Sequence, residues 1–145
     1  MNSRTLFFCL LYCFYGLLVH SATAQQVGDS TAYYYNKFIK PTNDSDLARA
    51  YLYFEKSMLE NIENKNFAKA VYDLRSISEI QNRLGLFNES EKSAVEALEL
   101  LEQMKDDDFV LNSKIGLYNQ LGMLYGEQEN FLKALEYYDY AMKRA

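Results

Sequence analysis

The side chains best suited to chemistry crowd one end of this chain. Its single histidine, His20, and both cysteines, Cys9 and Cys13, fall within the first 24 residues. That segment opens with a short positive start, Met1 to Arg4, followed by fifteen uncharged apolar residues from Thr5 to Val19. It closes on Ser21-Ala22-Thr23-Ala24, whose last three residues form an A-x-A pattern. Charged, apolar and small-residue regions in that order make a secretory signal peptide. The apolar run is short of the ~20 residues that a membrane-spanning helix needs. Neither cysteine follows the small residues of a lipoprotein box, since Cys9 follows Phe7-Phe8 and Cys13 follows Leu11-Tyr12. Cleavage after Ala24 is expected, and with it export to a periplasmic or other extracytoplasmic space.

The exported chain, Gln25 to Ala145, then carries neither imidazole nor thiol. A histidine general base, a thiolate nucleophile and a Cys/His zinc site are excluded within it. Without disulfides, its core alone must hold it together, and its length suffices for that. Loss of Arg4 moves the formal charge from −5 to −6, and no basic run exists, which argues against a nucleic-acid partner. Asp106-Asp107-Asp108 lacks the glycine and terminal glutamate of a calcium loop and reads as a solvated linker. The glycines are too dispersed to cradle a phosphate. Carboxylates are plentiful, but no pair stands out, so a helical carbohydrate-active enzyme is the weakest reading. The expectation is a non-enzyme with no catalytic residues, no metal and no cofactor.

Positioning elements are legible from periodicity. Leu47, Tyr51, Phe54, Met58 and Ile62 recur at helical spacing, as do Val71, Leu74, Ile77, Ser78 and Gln81. Further stripes are Ala94, Ala97, Leu98, Leu101 and Met104; Ile115, Tyr118, Leu121, Gly122 and Tyr125; and Leu135, Tyr138, Ala141 and Met142. The spacing predicts helices over 46–63, 67–84, 88–105, 111–127 and 131–144, with a short sixth over 30–39 ending before Pro41. Ser45, Asn66, Asn88 and Asn130 stand at stripe entrances as N-caps, and Asn88 with Glu91 has capping-box spacing. Asn43-Asp44-Ser45 and Asn88-Glu89-Ser90 match the glycosylation triplet, but capping explains both more economically. No alternating segment is long enough for a strand, so the fold class is all-α.

An internal repeat runs through the stripes. With Ile115 as position 1, Tyr118 falls at 4, Leu121 and Gly122 at 7 and 8, and Tyr125 at 11. Phe131 falls at 17, Ala134 at 20, Tyr138 at 24 and Ala141 at 27. Counting from Val71, Leu74, Ile77, Ser78, Gly85, Phe87 and Ala97 take positions 4, 7, 8, 15, 17 and 27, with departures at Gln81 and Ala94. This pattern resembles the tetratricopeptide repeat, in which small residues let two helical arms approach and aromatics fill the gaps between them. The two copies start 44 residues apart, ten more than the usual period of about 34. An extended link through 105–112 accounts for the surplus. Ala50, Phe54 and Ser57 match a second arm, giving about 2.5 repeats stacked as a short right-handed solenoid. The domains expected are a signal peptide (1–24), a tyrosine-rich segment (25–45) and a repeat region over 46–145. Tyr51, Tyr118, Tyr125 and Tyr138 belong to the core, whereas Tyr33 to Tyr35 have no assigned place.

The resemblance implies a concave groove lined by first-arm positions 2, 5, 9, 12 and 13, one residue round from the core stripe. Here these are Tyr72, Arg75, Glu79, Asn82 and Arg83, then Gly116, Asn119, Met123, Gly126 and Glu127. Arg75, Asn82, Arg83 and Asn119 are donors suited to peptide carboxylates or backbone carbonyls. Arg75 and Glu79 depart from the family's carboxylate-clamp pattern, so that specificity does not transfer. The implied function is an exported interaction module binding a protein or peptide. The alternative is the sensory region of a larger membrane-bound receptor, because Tyr72-Asp73-Leu74-Arg75 and Gly116-Leu117-Tyr118-Asn119-Gln120-Leu121-Gly122 resemble exported repeat regions of bacterial sensor histidine kinases. A membrane would be involved only through a segment following Ala145. The apolar residues Leu132, Leu135, Tyr138 and Met142 suggest self-association, or further repeats, at the last helix.

Overall fold

Three tight turns of one type organise this molecule. In each, a residue at positive φ ends one helix and starts the next: Lys65 (φ 55°), Gly85 (φ 74°) and Glu129 (φ 60°). The amide after each reaches back to a carbonyl five residues earlier, Asn66 to Asn61, Leu86 to Gln81 and Asn130 to Tyr125, at 2.7, 2.9 and 2.9 Å. These are Schellman closures, which satisfy carbonyls left orphaned at a helix end. Glycine takes that conformation freely, whereas Lys65 and Glu129 bear a cost of about 1 kcal/mol for it. A phenylalanine follows each turn and opens the next helix.

The computed structural model describes residues 32–144, so the expected signal peptide and its cleavage site lie outside the described residues. Within them the chain is all-helical, with no strand. Helix α1 covers 32–39. It is followed by α2 (Asp44–Glu63), α3 (Phe67–Arg83), α4 (Phe87–Glu102), α5 (Asp108–Glu127) and α6 (Phe131–Met142). No helix among the described residues is long and apolar enough to cross a membrane. Each of α2 to α6 packs against its neighbour in sequence, and α3 also touches α5.

Two apolar clusters share α3. One gathers Val71 and Leu74 of α3 with Ala94, Ala97 and Leu101 of α4 and Leu117, Leu121 and Leu124 of α5. The other joins Phe38 of α1, Leu47, Ala50 and Phe54 of α2, and Ile77 and Ile80 of α3. Where α3 meets α4 the backbones come close enough for two serines to bond across: Ser78 Oγ donates to the Ser90 carbonyl (2.9 Å) and Ser90 Oγ to that of Ser78 (2.7 Å). Larger side chains at those positions would hold the helices apart.

Several helix starts differ from the expectation. Asn43, not Ser45, caps α2; its side chain accepts from the Asp46 amide at 3.1 Å while Ser45 Oγ donates to the same oxygen. Asn88 lies inside α4, whose N-cap is Leu86, and Asn66 makes no side-chain cap bond. At both places the preceding Schellman turn already directs the chain, so a polar cap is dispensable. The capping box at Asn88 does not form, and Glu91 pairs with Lys133 instead (3.4 Å). Asp106 to Asp108 is not a free linker. Asp107 caps α5 by accepting from the Val110 amide (2.9 Å), and Asp108 is the first helical residue. The helix therefore starts three residues before 111, and α4 ends at Glu102 instead of 105.

Helix α1 is fastened to α2 by one carboxylate. Asp46 Oδ2 accepts from Thr42 Oγ1 (2.6 Å), the Thr42 amide (3.0 Å) and Lys37 Nζ (3.1 Å). The Thr42 hydroxyl first, then its amide, draw the Asp46 carboxyl down to about 2 from an ordinary 3.8. Because the folded value is the lower one, this contribution is complete above pH ~4 and is lost as pH falls toward 2. Acid titration from pH 5 to 2 should therefore weaken the protein, and Asp46→Asn should flatten that slope. The measurement is melting temperature against pH; equal slopes for both proteins would exclude Asp46 as the source.

Candidate partner-binding groove

Helices α1, α3 and α5 lie side by side, and polar ties supplement the apolar contacts between them. Gln120 of α5 donates through Nε2 to the Arg75 carbonyl (3.2 Å) and to Ser78 Oγ (2.9 Å) of α3. Farther along, Asn82 Nδ2 donates to Glu127 Oε2 at 2.7 Å. One turn before Gln120, on the side away from Glu127, α5 presents Gly116 to Arg75. A Cβ on Gly116 would stand 2.8 Å from Nη2, 3.1 Å from Cζ and 3.3 Å from Nη1 of that guanidinium. Near-equal distances mean that the guanidinium lies flat over the glycine, a seat that any side chain would fill.

On the other side α3 meets α1. Arg83 Nη1 donates to the Phe38 carbonyl at 2.8 Å, and its guanidinium lies 4.9 Å from the centre of the Phe38 ring. A cation at the last turn of α1 complements the exposed carbonyls there. Nη2 of the same residue pairs with Glu79 Oε1 at 2.5 Å. Tyr72 sits with its ring centre 6.1 Å from that of Tyr35 and 6.4 Å from that of Phe54. Burial, reinforced by Tyr35, pushes the Tyr72 hydroxyl up to about 12, so it remains a donor throughout the neutral range.

The expected groove residues thus divide into two sets. Asn82, Arg83 and Glu127 are taken up by bonds between helices, and Glu79 pairs with Arg83 within α3. Asn119 and Met123 are exposed, Tyr72 keeps one exposed edge, and Gly126 borders open space. Arg75 is half-buried, and its guanidinium forms no ion pair or hydrogen bond among the described residues. Asn82 carries a buried Oδ1 with no partner among the described residues, while its amide nitrogen donates to Glu127.

Among the expected core positions, Leu74, Ser78, Ala97, Leu121, Gly122, Tyr125, Ala134 and Ala141 are buried. Tyr118 and Tyr138 are half-buried, and Gly85 is exposed in its turn. The tyrosines left unassigned by sequence find partners here. Tyr34 stacks on Tyr53 (4.6 Å between ring centres), Tyr35 faces Tyr72, and Tyr33 packs edge-on against Tyr34. Tyr35 and Phe38, three residues apart, were the available signal for a packed helix in this segment.

Two further polar clusters hold helices together. Asp73 is buried between α2 and α3, where it accepts from Ser57 Oγ (2.8 Å) and Asn61 Nδ2 (2.9 Å), and burial pushes its carboxyl up. Lys133 lies 4.0 Å from the Tyr125 ring centre, bonds that tyrosine's hydroxyl and pairs with Glu91. Each carboxylate in these clusters is tied into a helix–helix contact. Among the described residues no group of three or more His, Cys, Asp or Glu side chains could hold a metal ion.

No family model matches the sequence, and neither the curated proteins nor the solved structures return a match.

Proposed function

We propose that this chain is an exported interaction module of the tetratricopeptide-repeat type, binding a protein or peptide along the face shared by α1, α3 and α5. The observation that carries this reading is a constant interval between equivalent contacts. Arg83 to Phe38, Asn82 to Glu127 and Gln120 to Arg75 each span 45 residues. Ser78 to Gln120 and Glu91 to Lys133 each span 42. Matching intervals between α1 and α3, and again between α3 and α5, are what stacked copies of one hairpin produce. Small buried residues at equivalent positions support the same register: Ser78 and Ser90, bonded to each other in one hairpin, and Gly122 and Ala134 in the next. On this reading α1 is a first arm, and α1/α2, α3/α4 and α5/α6 make three hairpins instead of 2.5.

Binding along the first-arm face can be tested without knowing the natural partner. Random nonapeptides displayed on phage would be selected against the purified chain, and selected peptides titrated into isotopically labelled protein. Amide NMR shifts are expected along α1, α3 and α5, centred on Tyr72, Arg75, Asn119 and Met123. Arg75→Ala with Asn119→Ala should weaken binding about tenfold or more at unchanged helicity. Shifts confined to α2, α4 and α6 would remove the groove from consideration.

A second reading, the sensory region of a larger receptor, draws on α6. Phe131, Leu132, Leu135 and Met142 are 64, 84, 63 and 71% exposed on that helix. Apolar surface of this extent suits contact with another helix or chain.

A further inference from the structure

One charge on this face has no counterpart among the described residues. The groove's other charged residues are engaged: Glu79 with Arg83, and Glu127 with Asn82. Glu79, one helical turn from Arg75, is the natural partner for it, yet it is held by Arg83. In a chain with five more acidic than basic residues, a half-buried guanidinium without an acid is a conspicuous omission. Exposed cations are commonly solvated and unpaired. Arg75 differs because its guanidinium is seated flat on Gly116 with the Gln120 bond to its own carbonyl fixing α5 beside it. A side chain held in this way has already lost much of its rotamer freedom, so little more is lost when its N–H edge meets an acceptor.

We propose that Arg75 is the anion-recognition residue of this groove and takes the side-chain carboxylate of an internal Asp or Glu in an extended peptide. The inference presupposes the groove reading above. A carboxylate fits because a planar guanidinium offers paired N–H donors to two oxygens. An internal residue is favoured over a chain terminus because the groove continues on both sides of Arg75. Toward α1 lie the Tyr72 and Tyr35 rings, and toward α5 lie Asn119 and Met123. A peptide ending at Arg75 would leave one of those flanks empty. The fitting sequence has an acidic residue with apolar or aromatic residues before and after it.

The phage-selected nonapeptides supply the probe, synthesised with blocked termini so that only side chains carry charge. Selection is expected to enrich one central Asp or Glu between apolar residues. Changing that residue to Gln or Asn should weaken binding to the native chain about tenfold or more, and added salt should narrow the difference. Arg75→Gln should bind the acidic and amide peptides equally, while Arg75→Lys restores part of the preference. If Arg75→Gln fails to fold, the acidic-versus-amide comparison on the native chain decides alone. Peptides that map to the groove but lack an acidic residue, or bind equally well as the amide, overturn the Arg75 assignment and leave the groove reading intact. Peptides that map elsewhere, or no binders at all, overturn both.

Discussion

Replacing Phe54 with alanine should lower the stability of the chain by about 3–5 kcal/mol, the range for removing a fully buried aromatic. Its ring has no exposed surface. Phe38 from α1, Tyr53 from α2 and Tyr72 from α3 surround it edge-on, with centres at 6.1, 5.5 and 6.4 Å. Leu47, Ala50, Ile77 and Ile80 share the same cluster. These neighbours sit on three different helices, so the cavity cannot close by moving one of them. Helix α1 has the most to lose, since Phe38 is its only buried apolar residue in this cluster. Urea denaturation of the purified chain measures the total, and hydrogen exchange should show α1 opening before α3. A loss below about 1 kcal/mol would mean that α1 is not seated on Phe54.

Gly122→Leu should cost about 1–3 kcal/mol through overpacking. The glycine lies where α5 and α6 cross, and a Cβ there would stand 2.6 to 2.9 Å from three ring carbons of Tyr138. The ring must swing away, which opens the α5/α6 contact. Gly126, one turn farther along the same helix, serves as the control. A Cβ there meets nothing within 4 Å, and its φ is not positive. Gly126→Ala should therefore stabilise by up to about 1 kcal/mol from helix propensity alone. Two glycines four residues apart thus have opposite expected signs. Equal melting temperatures for the two variants would contradict the crossing at Gly122.

Periodicity in the sequence was sufficient to predict an all-helical chain and to place α2 to α6 within a few residues. Apolar residues at helical spacing have only one economical way to be buried, and Gly85, Lys65 and Glu129 mark where that spacing is interrupted. The helix starts were less legible. Ser45 and Asn88 look like caps by residue type, but a Schellman closure from the preceding helix had already set the direction of α4, and Asn43 stood closer to the first free amide of α2. Caps compete for the same few donors, and the winner depends on backbone geometry that residue type does not specify.

The candidate groove residues show the same division more sharply. Helical spacing alone places Tyr72, Arg75, Glu79 and Asn82 on one face of α3, because a residue every three or four positions returns to the same side. It could not reveal which of those side chains are spent between helices. Asn82 with Glu127 and Arg83 with the Phe38 carbonyl are contacts 45 residues apart, so they exist only once α1, α3 and α5 are laid together. The short helix over 30–39 was expected, but the partners of Tyr33 to Tyr35 were not legible, for a related reason. A helix as short as α1 carries too few turns for its own periodicity to speak, and its position is decided by the Phe54 and Tyr72 rings it rests on. What the amino-acid order determined was which faces exist; what the tertiary structure decided was which of their polar groups remain free. The reason is physical: burial is written locally in spacing, whereas a hydrogen-bond partner is chosen by whatever the packed neighbour brings within about 3 Å.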